Sequence, residues 1–186
     1  MENFAEFLNR RKKLLDLIGD GIAVISNSNV SSRNRDCNYP FRSDSYFHYL
    51  TAFPEPEAVI FLVGGNKPKS IIFCKPKDKS KEVWDGYIYG PKEAEKKFLF
   101  DEAYALNDID KLAPKILEGY IADKNIYCLP TNILSNSAIL TSKNLFKWTR
   151  ADAESEYCDL SIILDEMRCS KSDTEISIMQ KSANIA

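Results

Sequence analysis

Residues 39 to 63 read Tyr39-Pro-Phe-Arg-Ser-Asp-Ser-Tyr-Phe-His-Tyr-Leu-Thr-Ala-Phe-Pro-Glu-Pro56, followed by Glu57-Ala-Val-Ile-Phe-Leu-Val63. The part up to Pro56 carries six Tyr or Phe rings, one histidine and three prolines. Ring side chains remove large apolar areas from water, so Tyr39, Phe41, Tyr46, Phe47 and Tyr49 are expected mostly in the core. Tyr46 to Thr51, read as an alternation of aromatic and other side chains, is expected as a strand, with His48 packed or at its edge. Arg42 and Asp44 stand two apart and are expected to pair locally. Pro54 and Pro56 stiffen the turn into the next run. That run, Ala58 to Val63, is a strand at the heart of a sheet. Gly64-Gly65-Asn66 turns it into Ser70-Ile-Ile-Phe-Cys74, giving a hairpin.

Upstream, Phe4, Phe7, Leu8, Leu14, Leu15 and Ile18 recur at helical spacing over residues 3 to 18. Arg10, Arg11, Lys12 and Lys13 fall mostly on the solvent side of that pattern. Gly19-Asp-Gly21 stops the helix, and Ile22 to Ile25 forms a short buried strand. Ser26 to Asn38 is rich in Asn and Ser and reads as a loop. The lysines between 67 and 81 read as a solvated stretch.

Downstream, Pro91 opens a helix reaching about Phe98. Asp108 to Glu118 predicts a second helix with Asp108 as N-cap. Asn125 to Leu129 is a strand, and Asn136 to Trp148 carries another helix. Asp159 to Arg168 is helical, with Leu160, Ile163, Leu164 and Met167 on one face. Ser172-Asp-Thr-Glu175 has the form of a capping box that opens a last helix. The alternation of strands and helices predicts an α/β fold, a mixed central sheet flanked by helices.

The chain has 186 residues, 44% hydrophobic and 28% charged, ordinary values for a globular protein. With 25 Lys plus Arg against 27 Asp plus Glu, the net charge is −2, which gives no electrostatic reason to expect nucleic acid. The N-terminus, Met1-Glu-Asn-Phe4, is acidic and soon becomes Arg10-Arg-Lys-Lys13, and it lacks the apolar core of an export signal. No apolar run approaches the roughly 20 residues that cross a bilayer, so no membrane partner is expected. Five cysteines without a C-x-x-C pair point to reduced thiols, a cytoplasmic location, and Cys74 and Cys128 as small buried hydrophobes.

Three blocks carry a resemblance to a known family. The first runs from Arg33 to Pro56 and holds Tyr-Pro-Phe-Arg and Phe-Pro-Glu-Pro. The second is Glu82-Val-Trp-Asp-Gly-Tyr-Ile-Tyr-Gly-Pro91, continuing to Ala94. The third is Asp165-Glu-Met-Arg-Cys-Ser-Lys-Ser-Asp-Thr-Glu-Ile176. In this order they resemble the N-terminal domain of Xaa-Pro aminopeptidase (aminopeptidase P), with the third block opening the catalytic "pita-bread" domain. Two positions depart from the pattern. Ala52 stands where glycine is usual, which suggests a tight turn, and Ile88 where arginine is frequent.

The resemblance implies residues 1–152 as the N-terminal domain and 153–186 as a linker and the first helices of a truncated catalytic domain. It implies a parent enzyme that releases the residue before a proline. Its two metal ions, usually Mn²⁺, would be held by two Asp, one His and two Glu. None of those ligands is assignable here, since the one histidine, His48, lies in the N-terminal part. The 186-residue chain is therefore expected to be inactive alone. By resemblance, Trp84 and Asp36 reach toward the substrate cleft, and the domain assists homo-oligomer assembly. The expected partners are a peptide with proline second and the chain's own catalytic domain. A prolidase- or creatinase-like hydrolase and a catalytically silent, histone-chaperone-like binding module are the alternatives. The last helix looks interrupted at Ala186, and Ile176, Met179 and Ala183 are expected to form an exposed apolar face.

Overall fold

Strand β1 (Ile22–Ser26) is buried along its whole length, because helices cover both faces of the sheet it centres. A computed structural model describes residues 4–118, 125–130, 142–149 and 157–185. Before β1 comes α1 (Phe4–Ile18), and after it come β2 (Ser32–Asn34), β3 (Cys37–Asn38) and α2 (Ser45–Thr51). Next are β4 (Val59–Val63), β5 (Lys69–Cys74), α3 (Lys79–Asp85), α4 (Gly90–Phe98) and β6 (Glu102–Ala105). The chain continues with α5 (Ile109–Leu117), β7 (Ile126–Cys128), α6 (Ser142–Thr149), β8 (Tyr157–Asp159), α7 (Leu160–Cys169) and α8 (Asp173–Ile185).

The main sheet runs β6-β5-β4-β1-β7-β8. Its centre is antiparallel, β1 on β4 and β4 on β5, while β6, β7 and β8 join as parallel neighbours. The predicted mixed sheet flanked by helices is thus observed. Side chains alternate across it. Ala23, Ile25, Ile60, Leu62 and Ile72 pack with α1, α2, α4 and α7. Ile22, Val24, Val59, Phe61 and Phe73 pack with α5 and α6 around Trp148. The β4–β5 turn lies close to the α1–β1 turn, where Gly64 N–H donates to Gly21 C=O at 2.9 Å. A Cβ on Gly64 would come within 1.9 Å of the Gly19 carbonyl oxygen, so only glycine fits. Cys74 and Cys128 are buried in strands as expected, and burial pushes their thiols up to about 12 and about 11.

Several expectations are corrected. Tyr46 to Thr51 is helical: Asp44 Oδ1 accepts the N–H groups of Tyr46 and Phe47 at 3.0 and 2.9 Å and nucleates α2. Asp44 is therefore a cap, and no ion pair among the described residues joins it to Arg42. Of the five ring residues expected in the core only Phe47 is fully buried. Tyr46 and Tyr49 are partly buried and Tyr39 is exposed. Arg11 is fully buried where solvent was expected. Residues 32–38 form a two-stranded ribbon within the expected loop. Asp108 holds the N-cap position of α5 without a side-chain bond. Of the helix expected over 136–148, only α6 from Ser142 onward lies among the described residues. The capping box is formed: Ser172 N–H donates to Glu175 Oε2 at 2.9 Å, and Glu175 N–H donates to Ser172 Oγ at 3.2 Å. Ile176, Ile178 and Met179 are all more than half exposed along α8.

Candidate functional site

Tertiary packing brings the three sequence blocks together. From the third block, Asp165 accepts the Tyr46 hydroxyl at 2.7 Å and the Met167 carbonyl accepts the Tyr49 hydroxyl at 3.1 Å. The Arg168 guanidinium lies 5.0 Å from the Tyr46 ring centroid. At the other end of the first block, Glu55 Oε1 accepts the Tyr89 N–H of the second at 2.5 Å.

Asn27, at the end of β1, organises the first block. Its side chain is 2% exposed. Oδ1 accepts the Asp44 N–H at 2.9 Å, and Nδ2 donates to the Glu55 carbonyl at 2.8 Å. One buried amide thus ties the α2 cap to the Phe53–Pro56 turn. Sequence reasoning passed over Asn27 because an Asn among Asn and Ser reads as loop. Glu55 was also missed, since nothing in Pro-Glu-Pro marks that glutamate as buried. Desolvation raises its pKa, opposed by the Tyr89 N–H, Lys75 and Lys77.

The second block forms an arch. Asp78 caps α3, its Oδ1 accepting from Ser80 N–H at 3.0 Å and Lys81 N–H at 3.3 Å. Lys77, expected as a solvated lysine, instead braces the far side of the arch. Its Nζ donates to the Ile88 carbonyl at 2.5 Å and pairs with Glu82 at 2.6 Å, while Glu82 accepts the Ile88 N–H at 3.0 Å. These contacts raise the Lys77 pKa and lower that of Glu82. Gly90, at φ 69, packs on Lys77, where a Cβ would meet its backbone nitrogen at 3.0 Å.

Trp84 sits on α3. It is 89% exposed, flanked by Val83 at 78% and with Tyr87 nearby in sequence at 58%. A ring this exposed on a braced helix is unusual, because its apolar area gains nothing from the fold around it. Asp36 lies in the β2–β3 turn and is exposed. No hydrogen bond, ion pair or ring contact among the described residues joins it to Trp84. Ile88, the other departure, is buried at 6%, so an apolar side chain suits that place.

An open groove of about 1200 Å³ lies elsewhere, between α1, α2 and the start of α8. Arg10, Arg42, His48, Arg168 and Lys181 line it with Glu175. Arg10 contacts Glu6 and pairs with Glu175 at 3.2 Å, and Ser172 Oγ donates to Glu6 at 2.6 Å, so α1 is stitched to the capping box. His48 is exposed on α2, its ring 6.3 Å from Phe7. Among the described residues no group of three or more His, Cys, Asp or Glu is placed to hold a metal ion. The described residues therefore do not supply the donor set of a dinuclear centre.

The family model for the N-terminal domain of aminopeptidase P matches residues 7–127. The chain belongs to the aminopeptidase P N-terminal domain family. This aminopeptidase P domain is 35% identical over 182 residues to the Xaa-Pro aminopeptidase of Haemophilus influenzae, covering 97% of the chain and 40% of the relative. It is 33% identical to Xaa-Pro aminopeptidase 3 of Dictyostelium discoideum, covering 97% of the chain and 34% of the relative. Among solved structures, Escherichia coli aminopeptidase P with the inhibitor Pro-Leu superposes with a TM-score of 0.87 at 27% identity. That match covers 99% of this chain and 43% of the other. The Pseudomonas aeruginosa aminopeptidase PepP superposes at 0.84 with 30% identity, covering 99% and 42%. The chain thus spans between about a third and about two fifths of the length of these relatives. No described helix is long and apolar enough to cross a membrane.

Proposed function

We propose that this chain is the non-catalytic N-terminal part of a manganese-dependent Xaa-Pro aminopeptidase and that it shapes the substrate cleft. The observation that carries this reading is Trp84, almost fully exposed on a helix braced at both ends. An indole presented this way suits packing on a proline ring or on a neighbouring subunit. The relatives' names supply the substrate class, a peptide with proline second. Asp36 would face the same cleft from the β2–β3 turn. The division falls near residue 152, with the third block opening the catalytic part, whose two Mn²⁺ would supply the hydrolytic chemistry. Val83, Trp84 and Tyr87 would also serve assembly of a cytoplasmic homo-oligomer.

The test is hydrolysis of an Xaa-Pro tripeptide with Mn²⁺ by this chain and by a longer parent. Turnover is expected in the parent only. In the parent, Trp84→Ala should raise KM about tenfold with a smaller change in kcat, the loss typical of one truncated aromatic contact. Unchanged kinetics in that variant would remove Trp84 from the cleft.

A further inference from the structure

Glu55 keeps 8% of its accessible surface, and among the described residues no other carboxylate side chain is as deeply buried. One oxygen accepts the Tyr89 N–H, while the other, Oε2, is buried with no hydrogen-bond partner among the described residues. A half-satisfied buried carboxylate works against the fold, so its position calls for a physical account.

The account starts at α4. Tyr89 is the N-cap residue of that helix and its own side chain makes no capping bond. Glu55 therefore makes, from a distant segment, the reach-back bond to the N-cap N–H that an N3 carboxylate makes in a capping box. Together with Glu82 and Lys77, it holds three consecutive backbone groups: Ile88 N–H, Ile88 C=O and Tyr89 N–H. Glu82 and Lys77 are local to the arch. Glu55 alone is rooted in the core-facing Phe53–Pro56 turn, which Asn27 fixes to the sheet. The backbone of the arch between Asp78 and Gly90, with Trp84 on it, is thus tied to the body of the domain through Glu55, beside the packing of the Tyr89 ring on Phe53 and Phe98.

We propose that Glu55 is a positioning residue that sets the presentation of Trp84, and that its hold is released by ionisation. The link to function rests on the cleft role of Trp84 given above. Burial raises the Glu55 pKa more than the Tyr89 N–H, Lys75 and Lys77 lower it, and Glu93 adds to the rise. Cys74 also lies close to Glu55, and burial pushes its thiol up to about 12, so it stays neutral at neutral pH and below. A group whose pKa is raised in the closed arrangement favours that arrangement when protonated. Any opening that lets water reach Glu55 is therefore promoted as pH rises through its folded pKa. The arch is held tightest when Glu55 is protonated and opens more readily at neutral pH.

The experiment is amide exchange of Ile88 and Tyr89 by NMR on this 186-residue chain, with Trp84 fluorescence anisotropy beside it. A Trp84→Phe chain supplies the Trp148 background. Glu55→Ala should lower Tyr89 protection about tenfold, the loss of one buried hydrogen bond, and lower the anisotropy. Glu55→Gln keeps the acceptor oxygen and should restore both. Protection corrected for intrinsic exchange should fall as pH rises from the ordinary glutamate range toward neutral in the wild-type chain and stay level in the Gln variant. Equal protection in the Ala and wild-type chains would overturn the proposal, as would a Gln variant as loose as Ala or sharing the wild-type pH dependence. If the Ala variant fails to fold, the wild-type and Gln comparison across pH decides alone. These readouts need no substrate. Should they hold while Trp84→Ala leaves peptide hydrolysis intact, the anchor stands and the cleft role fails.

Discussion

Arg11 carries its charge into the core, and among the described residues no carboxylate forms a direct ion pair with it. Its guanidinium donates to the Leu50, Phe98 and Leu99 carbonyls at 2.9, 2.9 and 2.6 Å and lies 4.3 Å from the Phe100 ring centroid. Those carbonyls end α2 and α4, where unpaired C=O groups and the negative helix pole favour a cation. Burial still pulls the Arg11 pKa down to about 10, with Asp101 opposing. Arg11→Ala would strand the three carbonyls and should cost about 3 kcal/mol, lowering Tm by roughly 10 °C in calorimetry. A shift under about 2 °C would mean that water replaces the guanidinium without loss. Ala52 is the converse case. It ends α2 at φ 51, ψ 13, the left-handed region that costs an L-residue roughly 1 kcal/mol. Ala52→Gly is expected to raise the denaturant midpoint by about 1 kcal/mol equivalent at unchanged m-value. The tight turn was readable from one position; the role of Arg11 was not, because periodicity reports a helix face and not what packs over it.

At the scale of elements, α5 and α6 meet through a charged clamp. Asp110 accepts from Lys147 Nζ and Trp148 Nε1, both at 2.6 Å. Lys147 first, and then the Trp148 N–H, hold the Asp110 carboxyl below its ordinary value. Such a carboxyl contributes stability above its unfolded pKa and loses it as pH falls through the lower folded value. The clamp is about half exposed, so solvent screening limits its worth to a few tenths of a kcal/mol. Asp110→Asn should therefore lower urea stability slightly at pH 7 and leave it unchanged at pH 2, with Trp148 fluorescence reporting both. A difference that persists at pH 2 would assign the effect to packing. The same scale explains the main error of the sequence reading. Tyr46 to Tyr49 are four ring residues in a row and do not alternate, whereas Asp44 caps the segment and Phe47, Leu50 and Thr51 share one buried helical face. The period of burial and the cap, not the density of rings, decided the helix.

Across the whole molecule, α8 leaves Ile176, Ile178 and Met179 at 53%, 58% and 57% exposure. Residues this open contribute little here, so Met179→Ser should change the stability of this chain by less than about 0.5 kcal/mol in denaturant titration. A much larger loss from the same substitution in a longer parent would locate a cover for this face there. The sheet itself was legible: Val59 to Val63 and Ile71 to Cys74 are continuous apolar runs around a glycine turn, and burial on both faces demands that composition. The three motif blocks were also legible, since their spacing and residue types identify the family without coordinates. Which side chains join those blocks was not. Tyr46 to Asp165, Glu55 to Tyr89 and Asn27 to Asp44 are contacts between residues far apart along the chain, and nothing local marks Asp165, Glu55 or Asn27 as a partner. Local pattern encodes period, turn and cap, because these depend on neighbours a few residues apart. The burial of Arg11, Asn27 and Glu55, and the brace that presents Trp84, depend on which donors and acceptors distant segments bring within 3 Å, and only packing settles that.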